Sequence, residues 1–335
     1  MIRPSSLSGF GFYVPEKVVS NADFAANAPI TDEWIVSRTG IETRHILANG
    51  QTGTDMALAA SLDALGRAAR APEDISHILY ATCTPDAACP SAACVLACKL
   101  GLKGLMALDI NAACTGFLNG LELARGLIAL TPDALVLLVA SESLSHRCNP
   151  EDYNTAVLFG DGASAVLVSA PENAAARPAF PVARVVDNLL GTDGAKGGLL
   201  RISGGFSAAP YALGDTVGPE YFIRMDGGLV YKHAVRSMTA SCQEVLKRNG
   251  LSSADVDLFI PHQANLRIIE AVGARLDIPA QKCFLNVQKY GNTSSASIPL
   301  AMSEAIRSGR LVPGMSVLLA SFGGGLTWGA TLLRF

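Results

Sequence analysis

The sequence predicts an α/β fold made of two similar halves, with stacked mixed sheets and helices between and around them. An internal repeat is the first sign. Glu73-Asp74-Ile75-Ser76-His77-Ile78-Leu79-Tyr80 resembles Ala254-Asp255-Val256-Asp257-Leu258-Phe259-Ile260-Pro261. Leu108-Asp109-Ile110 is answered by Leu285-Asn286-Val287, and Val136-Leu137-Leu138 by Val317-Leu318-Leu319. The matches keep their order about 180 residues further along, which marks one duplicated unit and not a solenoid array. The second sign is the alternation of short Val/Ile/Leu runs with Ala/Leu-rich periodic stretches. The former read as strands buried on both faces and the latter as helices, over 57–69 in the first half and 235–247 in the second. The halves are expected at 1–172, carrying Cys114, and 173–335, carrying His262 and Asn292. The glycine-rich stretch 188–220 reads as a long irregular connection just after the junction.

Composition agrees with a large core: of 335 residues, 50% are hydrophobic and 16% charged. A net charge of −3 offers no global attraction to nucleic acid or to an anionic membrane, so neither is an expected partner. The longest apolar run, 134–140, is too short to cross a bilayer, and the first residues lack the apolar core of a signal peptide. The expected location is the cytoplasm, with the eight cysteines reduced. Cys83, Cys89, Cys94 and Cys98 cluster, but their spacing contains no CxxC pair and no histidine. They read as small buried thiols, and no metal is expected.

Three strand-to-helix turns carry candidate chemistry. Asp109-Ile110-Asn111-Ala112-Ala113-Cys114-Thr115-Gly116-Phe117 runs from a strand through small residues into a helix continued by Leu118, Leu121 and Leu123. A cysteine at a helix N-terminus meets the positive end of the dipole, which favours the thiolate. His262 stands at the exit of the strand 256–261, ahead of a helix whose apolar stripe is Leu266, Ile269, Val272 and Leu276. Ligand sites gather at such carboxyl edges. The third turn carries Tyr290-Gly291-Asn292-Thr293-Ser294-Ser295-Ala296-Ser297. A fourth element, Phe322-Gly323-Gly324-Gly325-Leu326-Thr327, lacks the ending of a P-loop. Its glycines suit close backbone approach and the offer of an amide N–H to an oxyanion.

With these motifs in place, nearly the whole chain resembles the β-ketoacyl-acyl-carrier-protein synthase III family, condensing enzymes of the thiolase superfamily. The match is carried by Asp32-Glu33-Trp34-Ile35, Arg38-Thr39-Gly40-Ile41, Ala112-Ala113-Cys114, Phe159-Gly160-Asp161-Gly162-Ala163, Pro261-His262-Gln263-Ala264-Asn265-Leu266-Arg267, Gly291-Asn292-Thr293-Ser294 and Phe322-Gly323-Gly324-Gly325. The resemblance implies a duplicated thiolase-type fold, a homodimer, and an acyltransferase that initiates fatty-acid synthesis without a cofactor. Cys114 would accept an acyl group from coenzyme A or a carrier, with the Cys114 and Gly324 amides as oxyanion hole. His262 and Asn292 would stabilise the enolate left when malonyl acyl carrier protein loses carbon dioxide.

The resemblance also assigns Trp34 and Arg38 to the nucleotide end of coenzyme A, and Lys232 and Arg267 to docking of the acidic carrier protein. Two departures stand out. Tyr153 replaces a family arginine that contacts the adenine, and Cys89 replaces a phenylalanine that gates the acyl pocket across the dimer, leaving room for a longer or branched chain. Three other readings stay open at this level: condensation onto a non-malonyl acceptor in secondary metabolism, hydrolysis by a Cys-His-Asn set of papain type, and a non-catalytic carrier-binding protein.

Overall fold

The computed structural model describes residues 4–26, 28–174 and 181–335. Nine strands form its principal sheet: β1 (Ser6–Tyr13), β2 (His77–Ala81), β3 (Met106–Ile110), β4 (Val136–Glu142), β5 (Gly162–Ser169), β6 (Ala183–Thr192), β7 (Leu258–Pro261), β8 (Ser316–Gly323) and β9 (Thr327–Arg334). The helices that position the site are α1 (Asp32–Thr39), α2 (Gly53–Ala68), α3 (Ala92–Lys99), α4 (Gly116–Leu130), α5 (Gly227–Arg248), α6 (Leu266–Arg275) and α7 (Ser297–Arg307).

The strand order is β7-β8-β9-β6-β1-β5-β4-β2-β3. Strand β2 lies parallel to β3 and β4, and β4–β5 and β5–β1 are antiparallel. The same succession follows in the second stretch of chain, with β7–β8 parallel and β8–β9 and β9–β6 antiparallel. The two mixed sheets join where β1 meets β6, at Ser6↔Arg184 and Leu7↔Ala183.

Alternate residues of a strand point to opposite faces, and this sorts the core into layers. Val136 and Leu138 of β4 meet Phe117, Leu118 and Leu121 of α4, Ile298 and Met302 of α7, and Leu258, Ile260, Val317 and Leu319 of β7 and β8. The intervening Leu137 and Val139 meet Met56, Ala60 and Ala64 of α2 instead. On the far side, Phe259, Leu318 and Ala320 turn toward Val235, Met238 and Cys242 of α5 and Val272 of α6. Helices α4 and α7 therefore lie between the two sheets while α2, α5 and α6 cover them from outside, the thiolase-type layering expected of the sequence.

Capping explains where several helices begin and end. Thr52 and Asp55 form a reciprocal capping box ahead of α2, and α1 starts at a Thr31 cap and stops at Gly40, whose φ is 73°. Gly120 lets α4 sit directly on β4, since a Cβ there would stand 2.4 Å from Leu138 Cδ1.

Several expectations change. Leu123 does not continue the buried face of α4 but is 46% exposed, because two residues beyond Leu121 is about 200° around a helix. Residues 188–192, read as loop, belong to β6 and pair with β9 from Thr327↔Thr192 to Thr331↔Asn188. No strand forms at 285–287. Cys283 makes one parallel bridge to Phe259, and Val287–Tyr290 is a helical turn. The reason is local: the Asn286 and Val287 amides both donate to Gln263 Oε1, which removes them from any ladder. Cys89, Cys94 and Cys98 are exposed, not buried. Helix α3 turns Ala93, Leu96 and Ala97 inward, which leaves Cys94 and Cys98, four residues apart, on the outer face.

Among the described residues no helix is long and apolar enough to cross a membrane. Phe117 is 1% exposed in the core shared by both sheets. Phe117→Ala is expected to lower stability by about 3–5 kcal/mol, seen as a reduced urea midpoint with α/β secondary structure retained before the transition.

Candidate active site

The Cys114 turn is built from small residues because another backbone crosses it. Ala113–Thr115 form a single 3-10 turn ahead of α4, closed by Thr115 N and Oγ1, which both donate to Ala112 O, at 3.1 and 2.8 Å. Ala113 holds φ 46°, a left-handed conformation that costs a non-glycine residue free energy and gathers at functional sites. Against this turn lies the end of β8. A Cβ on Gly323 would stand 2.7 Å from Cys114 N, and Ser321 Oγ donates to Cys114 O at 2.8 Å. The glycines after Phe322 thus do what their sequence suggests: they permit close approach.

His262 follows β7, and its N–H donates to Ala320 O at 2.7 Å. Its Nδ1 is 2.6 Å from Ser297 Oγ, which also accepts the Gln263 N–H at 3.3 Å. The arrangement that satisfies all three groups sends the Ser297 proton to Nδ1 and leaves the imidazole proton on Nε2. Gln263, buried beside it, donates to Pro261 O and Phe284 O, and its Oε1 receives Asn286 and Val287. One side chain thereby ties the His262 turn to the segment leading to Asn292.

Asn292 is held by the Phe159-Gly160-Asp161-Gly162 motif. Asn292 N donates to Leu158 O at 2.8 Å and Gly160 N to Asn292 O at 3.1 Å. A Cβ on Gly160 would fall 2.2 Å from Tyr290 O, so only glycine fits. The buried Asp161 accepts from Leu47 N, Ser145 N and Ser145 Oγ, which fixes the loop from behind. Ser294 N donates to Asn292 Oδ1 at 2.8 Å. The NH₂ end of the amide is then the one left for other partners.

Cys114, His262, Asn292 and Gly324 line one cavity of about 910 Å³. Burial holds His262 down to about 3, so the imidazole is neutral at ordinary pH. Burial also pushes the Cys114 thiol up to about 12. Burial thus works against the thiolate expected from the helix terminus, while the Ser294 hydrogen bond works for it. The resting pair is a thiol and a neutral imidazole. Glu142, fully buried at the end of β4 behind Cys83 and Ser294, is raised above the ordinary carboxylate range, again by burial.

At the mouth lie Trp34, Arg38, Tyr153 and Arg267. The Arg38 guanidinium stacks 4.4 Å over the Trp34 ring, and Arg267, exposed on α6, is 5.7 Å from the Tyr231 ring. Lys232 follows Tyr231 on α5; it and Cys89 are exposed and stand outside the lining of the cavity. Sequence reading passed over Glu142, whose one mark is an acidic residue ending the apolar run of β4, and it named Ser294 and Ser297 only as members of the Asn292 turn, with no role of their own.

The chain matches the profile of 3-oxoacyl-(acyl-carrier-protein) synthase III over residues 108–183 and that of its C-terminal region over residues 246–335. It is 57% identical over 335 residues to the beta-ketoacyl-(acyl-carrier-protein) synthase III of Nitratidesulfovibrio vulgaris strain DP4, covering 100% of both chains. The protein of the same name from Oleidesulfovibrio alaskensis is 54% identical over 334 residues, again with 100% of both covered. The crystal structure of 3-oxoacyl-(acyl-carrier-protein) synthase III from Aquifex aeolicus VF5 superposes with a TM-score of 0.88 at 41% identity, covering 99% of this chain and 100% of that one.

Burial of neutral His262 has a consequence for stability. The unfolded imidazole takes up a proton below 6.5 and the folded one only near 3, so its contribution is complete above pH 6.5 and is lost as pH falls between those values. The acid-side loss of stability, followed by urea midpoints from pH 7 to 4, is expected to be shallower in His262→Gln than in the wild type.

Proposed function

Because the chain belongs to the 3-oxoacyl-(acyl-carrier-protein) synthase III family, we propose that Cys114, His262 and Asn292 carry out its condensation in two steps at the cavity described above. The enzyme is an acyltransferase that joins an acyl thioester to malonyl acyl carrier protein and so initiates fatty-acid synthesis. In the first step the Cys114 sulfur attacks the donor thioester, and the amides of Cys114 and Gly324 receive the oxyanion. In the second, His262 Nε2–H and the Asn292 NH₂ donate to the malonyl thioester oxygen. Carbon dioxide leaves, the enolate attacks the acyl carbon, and Cys114 departs as the new C–C bond forms.

The observation that carries this reading is that His262 faces the same cavity as Cys114 with its Nδ1 on Ser297 Oγ, an arrangement that leaves Nε2 free to donate, while burial favours the neutral ring. A donor that is uncharged before and after decarboxylation stabilises developing negative charge without first needing a proton. In a papain-type hydrolase the asparagine would orient the histidine; here His262 Nδ1 is engaged by Ser297, which supports condensation over hydrolysis.

The mouth supports the remaining assignments. Stacked Trp34 and Arg38, with Tyr153 beside them, suit the adenine and phosphates of coenzyme A. Arg267 and Lys232 offer positive charge to an acidic carrier. Strand β3 ends the sheet with Met106 and Leu108 exposed at 44% and 43%, an apolar edge suited to pairing with a second copy in a homodimer. In such a dimer Cys89 would gate the partner's acyl pocket. We read 1–172 and 173–335 as the homologous halves, supported by their repeated strand pairing, and place the enzyme in the cytoplasm.

Cys114→Ala is expected to abolish acyl labelling and condensation while still decarboxylating malonyl carrier protein. His262→Ala and Asn292→Ala are expected to acylate but to lose decarboxylation by about 10²–10³-fold, read by carbon dioxide release. Condensation at the wild-type rate in Cys114→Ala would remove it as nucleophile. Arg267→Glu is expected to lower kcat/KM for malonyl carrier protein by about tenfold at low salt, with acylation from a coenzyme A donor nearly unchanged. Equal losses with both substrates would count against a docking role.

A further inference from the structure

We propose that Ser294 and Glu142 form a proton relay that receives the Cys114 thiol proton during acylation. The proposal rests on the reading of Cys114 as the acylated residue. Ser294 Oγ lies 3.5 Å from Cys114 Sγ and 3.2 Å from Glu142 Oε1. It is held there by a left-handed backbone, φ 49°, and by its N–H on Asn292 Oδ1. Glu142 is fully buried, and its hydrogen-bond donors among the described residues are all neutral. Ser295 Oγ reaches Oε1 at 2.9 Å, and Thr84 Oγ1, Cys83 N, Thr82 Oγ1 and Cys83 Sγ reach Oε2.

Ser294 has one proton and two acceptors in reach. The relay takes Glu142 in its ionised form, which its hydrogen-bond donors favour against the burial that raises it; the hydroxyl then points to the carboxylate, the stronger acceptor, and its lone pair faces the Cys114 S–H. In the step proposed, the Cys114 proton moves to Ser294 Oγ as the Ser294 proton moves to Glu142 Oε1. The freed electron pair on Sγ forms the S–C bond to the thioester carbonyl. When the carbonyl re-forms, the donor's C–S bond breaks, and the departing thiolate recovers the proton from Glu142 by the same path in reverse.

Charge conservation favours this route. Thiol plus carboxylate becomes thiolate plus carboxylic acid, and the site holds one negative charge throughout. Releasing the proton to solvent would bury two. Sending it to His262 would create a cation where burial opposes one, on a ring whose Nε2 already bears a proton. Ser294 touches the reacting sulfur and is the catalytic residue; Glu142 acts through it and is a positioning residue that orients the hydroxyl and stores the proton.

The two readings of Glu142 predict opposite results. As a fixed negative charge it opposes the thiolate, so its removal would make Cys114 more reactive. As a relay partner, its removal makes Cys114 less reactive at neutral pH. The full-length enzyme is treated with iodoacetamide over pH 6–9, and alkylation of the Cys114 peptide is followed by mass spectrometry. The wild type is expected to react at a nearly constant rate, because proton exchange within the pair does not depend on pH. Glu142→Gln and Ser294→Ala are expected to react about tenfold or more slowly at pH 7, with a rate that climbs with pH, while decarboxylation of malonyl carrier protein persists. Wild-type or faster alkylation in Glu142→Gln would overturn the relay. So would equal loss of alkylation and decarboxylation, which marks a structural role. Acyl labelling of the wild type is scored separately: its absence defeats the acyl-enzyme reading, whereas labelling with unaltered variants defeats the relay alone.

Discussion

The site depends on how closely the end of β8 approaches the Cys114 turn. A Cβ on Gly323 would stand 2.7 Å from Cys114 N, a spacing that real Cβ atoms do not adopt, so only glycine lets the two backbones lie this near. Small residues extend this contact. Gly116 faces Ala81 and Ser295 at 3.0 and 3.2 Å from where its Cβ would be, and Ala81, Ala140 and Ala296 form a core cluster of their own. With side-chain bulk removed from the seam, residues from both parts of the chain reach one cavity. The positions that bear chemistry then stand on packed elements instead of free loops.

The same closeness sets the electrostatics. Each polar group drawn into the seam has lost water and has to find a partner in the protein. Ser297 serves His262, Gln263 serves the Asn286 and Val287 amides, and Asn292 Oδ1 serves Ser294 N. Enclosure keeps the imidazole neutral and the thiol protonated, and it raises Glu142. A reaction that passes through an oxyanion and an enolate gains from such surroundings. Fixed uncharged donors stabilise new negative charge more strongly where the dielectric is low, and they need no reorganisation.

Arg44 shows how far the support extends. Its fully buried guanidinium donates to Val157 O and Val19 O, bracing the segment that leads into Phe159 and Gly160, and those residues in turn hold Asn292. Burial lowers it to about 10, still charged at neutral pH.

Much of this was legible in the amino-acid order. Buried strands announce themselves by unbroken Val/Ile/Leu runs, so β4 and β8 and their repeat were readable without coordinates. Cys114, His262 and Asn292 were readable as candidates because each follows a strand or turn with small residues around it. Element boundaries were less so, since the helical turn at Val287–Tyr290 depends on the side chain of Gln263, more than twenty residues earlier. The reading of Cys94 and Cys98 as buried thiols rested on their spacing, and spacing that excludes a metal pattern does not say which side of a helix meets the core. Glu142 and Ser297 could be found only in three dimensions: their partners Ser294 and His262 lie 152 and 35 residues away in sequence. Local pattern determines which faces turn inward. The tertiary structure decides which polar groups then meet, and how dry they are, and so which way burial pushes the Cys114 thiol and the His262 imidazole.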